Sequence, residues 1–559
     1  MIKGYPSTLM DDYQLNITNI IRHTARNFPE REIVGRTPSG KFRYTYRDAY
    51  ERVMRAANVL KRLKIEPGDR VGVLDWNTHR YYELYFAIPG TGAVLLQMNL
   101  RISLTDLAYV ANHSGAKIIF VDETLLPIAE AIAPQLETVK GYVVMSDKKL
   151  VRLDGKLNPI HSYEELLADA KPEYSWPNIE EKSAYSACYT SGTTGKPKGV
   201  YYSHRGIYLH TLIKTLYSRV TCYDSFLQIV PMFHVQGWGD FLNATFMGAK
   251  IVLPGKFTLE DVGDLVELMV SEKVTLANGA PAIFIPMLHY IEGLKEKPNF
   301  ESTRLICGAT EPPLTMMQGW KDLTGAEVLH GYGATETSPH VALNFLKPSL
   351  VDNLSEEEKW ELKRKQGIIA SGLDLKLVDR EGKELPHDGK AIGEVLIKGP
   401  WVTRTYYNDD RAEASFADGF WKSGDSAVID PHGYLKIVDR YKDLIKSGGE
   451  WISSVDLENA IMAHPGVLEA VVVGLPHPKW EERPMAFVVL KNEFKDKDLK
   501  GEILDLLLPK FAKWQLPDEI RFVEEIPKTS VGKFNKQKIR EIYKDVFSDG
   551  MKTWKRNHP

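Results

Sequence analysis

A chain of 559 residues exceeds what one hydrophobic core supports, so two or more domains are expected. With 43% apolar residues, 26% charged residues and a net charge of -3, the composition is that of a globular protein with no global electrostatic reason to hold nucleic acid, so small molecules are the expected partners. The cysteines Cys188, Cys222 and Cys307 lie far apart, without CxxC spacing or a nearby His pair, which argues against a zinc site or a disulfide framework. The N-terminal stretch lacks the charged and apolar regions of a secretory signal, no apolar run reaches the ~18 residues of a membrane helix, and the last residues carry no lipidation or peroxisomal motif. A cytoplasmic location is the expectation.

In chain order, the periodicity predicts a helix over Tyr46–Leu63, a strand over Arg70–Leu74, a helix over Leu104–Ser114 and a strand over Ala116–Val121. Strand, helix and strand follow at Ala249–Pro254, Thr258–Glu272 and Thr303–Cys307, the rhythm of a parallel sheet covered by helices. Ser355–Lys365 reads as a solvated helix. The β-rich runs Ile392–Ile397 and Tyr434–Ile437, with no long helix between them, predict a smaller antiparallel subdomain. Beyond Asp439-Arg440, Ser454 is the expected cap of a helix running to about His464. Strands at Val467–Val473 and Met485–Leu490 and two helices around a strand at Ile520–Phe522 complete a small α+β domain of roughly 115 residues. The predicted boundary puts 1–441 in a large α/β domain and 442–559 in a small mobile one.

Tyr189-Thr190-Ser191-Gly192-Thr193-Thr194-Gly195-Lys196-Pro197-Lys198-Gly199 packs three glycines and four small hydroxyl residues behind a predicted strand. Such a loop can wrap a polyphosphate through backbone N–H groups and hydroxyls, with lysines neutralising charge. It does not fit the P-loop pattern, because Gly192 and Gly195 are too close and Pro197 follows Lys196. The string closely resembles the phosphate-loop signature of the adenylate-forming superfamily, which includes acyl-CoA synthetases, adenylation domains and firefly-type luciferases. The likeness spans residues 45–540, through five motifs in the expected order.

That resemblance implies a role for each matching residue. Thr190, Ser191, Gly192, Thr193, Thr194 and Lys198 would hold ATP phosphates. In His330-Gly331-Tyr332-Gly333-Ala334-Thr335-Glu336, Tyr332 would stack on adenine with His330 and Gly331 beside it, Thr335 would reach the phosphate, and Glu336 with Thr190 would bind Mg²⁺. Gly308 matches the adenine-side turn, although the usual glycine pair is here Cys307-Gly308. Asp425, in Trp421-Lys422-Ser423-Gly424-Asp425, would accept from the ribose hydroxyls. Arg440 would touch ribose or phosphate, Lys442 would be the hinge, and Lys446 would lie near the nucleotide. Gly448 and Gly449 would face the pantetheine arm of coenzyme A, with Trp451 close by. Lys533, in Pro527-Lys528-Thr529-Ser530-Val531-Gly532-Lys533, would bridge the carboxylate and the α-phosphate, offsetting the repulsion of two anions.

Pro231-Met232-Phe233-His234-Val235-Gln236-Gly237-Trp238-Gly239 resembles the acyl-pocket motif of long-chain fatty acyl-CoA synthetases, with Trp238 as gate and Val235 in the tunnel wall. Gly333 stands where acetate-restricted relatives carry tryptophan, which implies room for a longer acid. Medium- and long-chain fatty acids lead the expectation, while short acids and hydroxy acids such as 4-hydroxybutyrate stay open. Likeness in KSGGEWISSVDLENA and HPKWEERP to homodimeric fatty acyl-CoA synthetases implies a homodimer. Rival readings are loading of a carrier-protein pantetheine, a catalytically inactive nucleotide-binding regulator and luciferase-like oxidation.

Overall fold

The computed structural model describes residues 2–148, 157–190, 196–410, 412–440, 443–448, 450–528 and 534–547. Among these, three sheets of 14, 7 and 5 strands organise the chain. In the seven-stranded sheet, Arg70–Leu74 lies between Ala116–Asp122 and Val94–Gln97, all parallel, and Ala184–Tyr189 continues the sheet beyond Val94–Gln97. Strands covered on both faces read as continuous apolar runs rather than alternating ones, as Arg70–Leu74 does. The neighbouring helix Leu104–Ser114 starts where Ser103 accepts from the Asp106 N–H, and ends at Gly115, whose φ of 71° suits glycine.

The largest sheet changes character along one strand. Residues 327–330 of Glu327–Gly333 pair parallel with Arg304–Cys307, whereas residues 331–333 pair antiparallel with His340–Leu343. The antiparallel strands expected as a separate subdomain therefore continue the parallel sheet, through Gly367–Ile369, Tyr434–Arg440, Phe420–Ile429, Gly393–Lys398 and Asp374–Val378. A run of adjacent short strands carries no signal for which other sheet it joins. The helix expected over Thr258–Glu272 begins as a 3-10 turn at Leu259–Asp261 and becomes α-helical at Val262–Ser271. The helix Glu356–Arg364 is capped by a reciprocal Ser355–Glu358 box.

In the C-terminal region the strand pair Val467–His477 and Glu481–Leu490 carries apolar clusters on its two faces, one under the helices Ser454–Met462 and Lys500–Leu507, the other under Lys536–Tyr543. The cap of the first helix is Ser453, which accepts from the Asp456 N–H, and not Ser454. Ser454 is buried at the first helical position and donates its hydroxyl to Asp439, so two adjacent serines that a pattern cannot separate have different partners. The same junction holds Lys436 Nζ at 2.9 Å from Asp456, and Asn459 Nδ2 at 2.9 Å from Glu311, which also accepts from Arg364 at 2.8 Å. No helix of the described residues is long and apolar enough to cross a membrane.

Candidate active site

The predicted phosphate loop joins the antiparallel strands Ala184–Tyr189 and Gly199–Ser203. Its mouth is closed twice: the Thr190 N–H donates to the Lys198 carbonyl at 3.0 Å, and the Lys198 N–H donates to Thr190 Oγ1 at 3.1 Å. The side chain of Thr190 thus pins the base of the loop. Ser191, Gly192, Thr193 and Thr194 lie outside the described residues, as do Lys442, Gly449 and Lys533.

Glu336 sits in the turn Thr335–Thr337 that follows the Glu327–Gly333 strand. Three contacts tie that turn to the loop. Tyr202, on the strand after the loop, donates to the Thr335 carbonyl at 2.8 Å; Tyr406 donates to Glu336 Oε1 at 2.7 Å; and Lys198 Nζ lies 4.4 Å above the Tyr406 ring and 3.4 Å from Ser415 Oγ. Burial raises the Glu336 pKa, while the Tyr406 hydrogen bond and the charges of Arg440 and Lys198 oppose that rise. The metal-candidate carboxylate, the loop lysine and Arg440, the predicted ribose or phosphate contact, therefore share one electrostatic neighbourhood. Tyr406 and Ser415 carry no motif in the sequence; only the fold brings them between Lys198 and Glu336.

A second group lies beside the first. Tyr332 donates its hydroxyl to Asp425 Oδ2, and Arg440 Nε stands 3.0 Å from Asp425 Oδ1. Asp425 is the first cause of the raised Arg440 pKa, and Tyr332 and Glu336 also contribute. Pairing of Asp425 with Arg440 across adjacent strands explains the closeness of residues 15 apart in sequence. His330 is placed differently: its Nδ1 meets the Arg364 carbonyl at 2.6 Å, and burial pushes its pKa down to about 4, so the imidazole is spent in the core.

On the predicted acyl side, Val235 to Gly239 form a turn whose five residues all have positive φ: 46°, 57°, 55°, 63° and 75°. For Val235, Gln236 and Trp238 this costs on the order of 1–3 kcal/mol each. The turn touches both predicted ligand sides. The Val235 amide bonds to the Cys188 thiol, whose pKa burial raises to about 12. Trp238 lies against Gly308, where an added Cβ would be 3.2 Å from the indole and 3.2 Å from the Gly331 carbonyl. Behind the turn, His340 donates its N–H to His210 Nε2 at 3.3 Å, which leaves the His210 proton on Nδ1. That Nδ1 and His340 Nε2 are buried without a protein hydrogen-bond partner.

Gly333 has a second, local reason to be glycine: a Cβ there would fall 1.8 Å from the Pro339 carbonyl, a close backbone approach at a β-bulge.

The small-domain candidates keep to other partners. Lys446 pairs with Glu481 at 2.9 Å, Gly448, at φ 62°, donates its N–H to the Trp480 carbonyl at 3.0 Å, and Trp451 receives Arg380 5.0 Å above its ring. Lys446 is therefore paired with a residue of its own sheet here.

The donors expected for Mg²⁺ are one carboxylate, Glu336, and one threonine hydroxyl, Thr190; among the described residues no cluster of three or more His, Cys, Asp or Glu side chains exists. That suits an ion carried largely by phosphate oxygens and water, with one protein carboxylate.

Comparisons with known proteins show the family. A profile of the AMP-binding enzyme family matches residues 21–407, and one of the AMP-binding enzyme C-terminal domain matches residues 456–533. A long-chain-fatty-acid–CoA ligase of Thermus thermophilus is 45% identical over 551 residues, 98% of this chain and 98% of that protein. A medium-chain-fatty-acid–CoA ligase of Ectopseudomonas oleovorans is 37% identical over 536 residues, 95% of this chain and 97% of that protein. Among solved structures, an anthranilate CoA ligase in complex with anthranoyl-AMP has a TM-score of 0.84 at 24% identity, covering 96% of this chain and 98% of its own, a likeness of fold.

Proposed function

The chain belongs to the AMP-binding enzyme family, and from that premise we propose that it joins a medium- or long-chain fatty acid to coenzyme A through an acyl-adenylate. It is an AMP-forming acyl-CoA ligase. The observation that carries the reading of the site is the meeting of Lys198, Glu336 and Arg440 in one electrostatic neighbourhood, with Asp425 and Tyr332 alongside.

The acid carboxylate attacks the α-phosphate of ATP and displaces pyrophosphate; the thiol of coenzyme A then attacks the acyl carbon and AMP leaves. Asp425 accepts from the ribose, its two oxygens retaining lone pairs beyond those used by Tyr332 and Arg440. Lys198 and Arg440 hold the phosphates, and Lys533 brings its ammonium to the approaching anions. Glu336 with Thr190 would hold Mg²⁺, which when bound neutralises phosphate charge. The small domain turns about a hinge at Lys442 between the two half-reactions, exchanging Lys533 for the face of Gly448 and Gly449. A homodimer in the cytoplasm completes the reading, and light scattering tests the assembly.

One observation favours a second reading of the acid. The unpartnered nitrogens of His210 and His340 behind the acyl turn would suit a hydroxyl on the substrate, as in a short hydroxy acid. Pyrophosphate release measured over straight-chain acids from C2 to C18 and their hydroxy counterparts, with coenzyme A, with a carrier-protein pantetheine and with neither, separates these cases. Lys533→Ala should abolish adenylation while sparing thioester formation from supplied acyl-AMP; equal loss of both would refute its role.

A further inference from the structure

Five successive left-handed residues persist only where their surroundings over-determine them. Beneath Val235–Gly239, buried side chains grip the carbonyls in turn. The Gly237 carbonyl accepts from Gln228 Nε2 and from Asn278 Nδ2, each at 3.0 Å. The Trp238 carbonyl accepts from Lys214 Nζ at 2.6 Å. Lys214 lies 2.8 Å from Asp240 Oδ1, and Asn278 donates to Asp240 Oδ2 at 2.9 Å. The Lys214 and Asp240 side chains are 4% and 0% exposed. A buried ion pair is a poor source of stability, since an apolar pair of similar volume often serves as well. What the pair supplies is a directional hold on the backbone of Trp238, whose indole abuts Gly308 at the border between the acyl and nucleotide sides.

We propose that Lys214, Asp240 and Asn278 are positioning residues that latch the left-handed turn, hold the Trp238 backbone at the border between the acyl pocket and the nucleotide, and so set which acids the enzyme accepts. This rests on reading Val235 and Trp238 as acyl-side residues.

The test uses the full-length enzyme with Lys214→Met, Lys214→Arg and the double substitution Lys214→Met/Asp240→Leu, which leaves no unpaired charge. Acid-dependent pyrophosphate release is measured from C2 to C18, with KM for acid and for ATP, alongside thermal unfolding. Lys214→Met and the double variant should raise the acid KM about tenfold, shift the ATP KM no more than about twofold and flatten the chain-length profile, while Lys214→Arg stays nearer to the parent enzyme. A double variant that melts like the parent and keeps its KM and profile overturns the proposal. Failure of both Met variants to fold overturns it too, by assigning the pair to stability alone. If the parent enzyme itself releases no pyrophosphate with any acid, the proposed function fails instead, a result distinct from either.

Discussion

The nucleotide side and the acyl side proposed for the site are built in opposite ways. Around Glu336 and Asp425, charged and phenolic groups already have partners, Tyr406 for one carboxylate and Tyr332 with Arg440 for the other, and the backbone needs no run of unusual dihedrals. Around Trp238 the backbone is left-handed for five residues, and buried nitrogens of His210 and His340 lack partners. A site for a constant ligand such as ATP can be preorganised with satisfied polar groups. On the proposed reading, the strain and the unmet hydrogen bonds fall where the variable part of the substrate lies.

The sharpest way to break this contrast is Glu336→Gln. If Glu336 is the metal carboxylate, ATP–pyrophosphate exchange should fall ~100-fold or more, with an increased Mg²⁺ requirement. A wild-type rate and Mg²⁺ profile would remove it from the site. Asp425→Asn is expected to cost roughly 10- to 100-fold in kcat/KM for ATP, the range for a hydrogen bond to a charged group, while the acid KM stays near its starting value. A change confined to the acid would erase the division between the two sides.

The acyl side makes its own prediction in pH. Burial pushes the His340 pKa down to about 3, with the nearby Lys214 charge adding to the shift, whereas the unfolded chain titrates near 6.5. Above that value the ring is neutral in both states. As pH falls towards about 3 the unfolded chain takes up the proton first, so stability is lost on acidification, by at most about 1.4 kcal/mol per pH unit for one histidine. Urea unfolding at pH 7 and pH 5 should show a smaller difference for His340→Gln than for the parent enzyme. The smallest effect expected is that of Tyr406→Phe: loss of one hydrogen bond to the Glu336 carboxylate, roughly tenfold in exchange rate, at the low end of the same range, checked at saturating acid.

The family was readable along the chain because the motifs that carry its resemblance are each defined by a few neighbouring residues. Alternation of apolar runs likewise announced the Arg70–Leu74 and Arg304–Cys307 strands and the Leu104–Ser114 helix, since period and caps are local properties. The joining of antiparallel strands to the parallel sheet through Glu327–Gly333, the identity of Ser453 as cap, the bridge of Tyr406 between Lys198 and Glu336, and the reason for glycine at 333 came only with the folded chain. Each depends on atoms brought together from distant segments or on a backbone approach of a few ångströms, and no linear pattern encodes such distances.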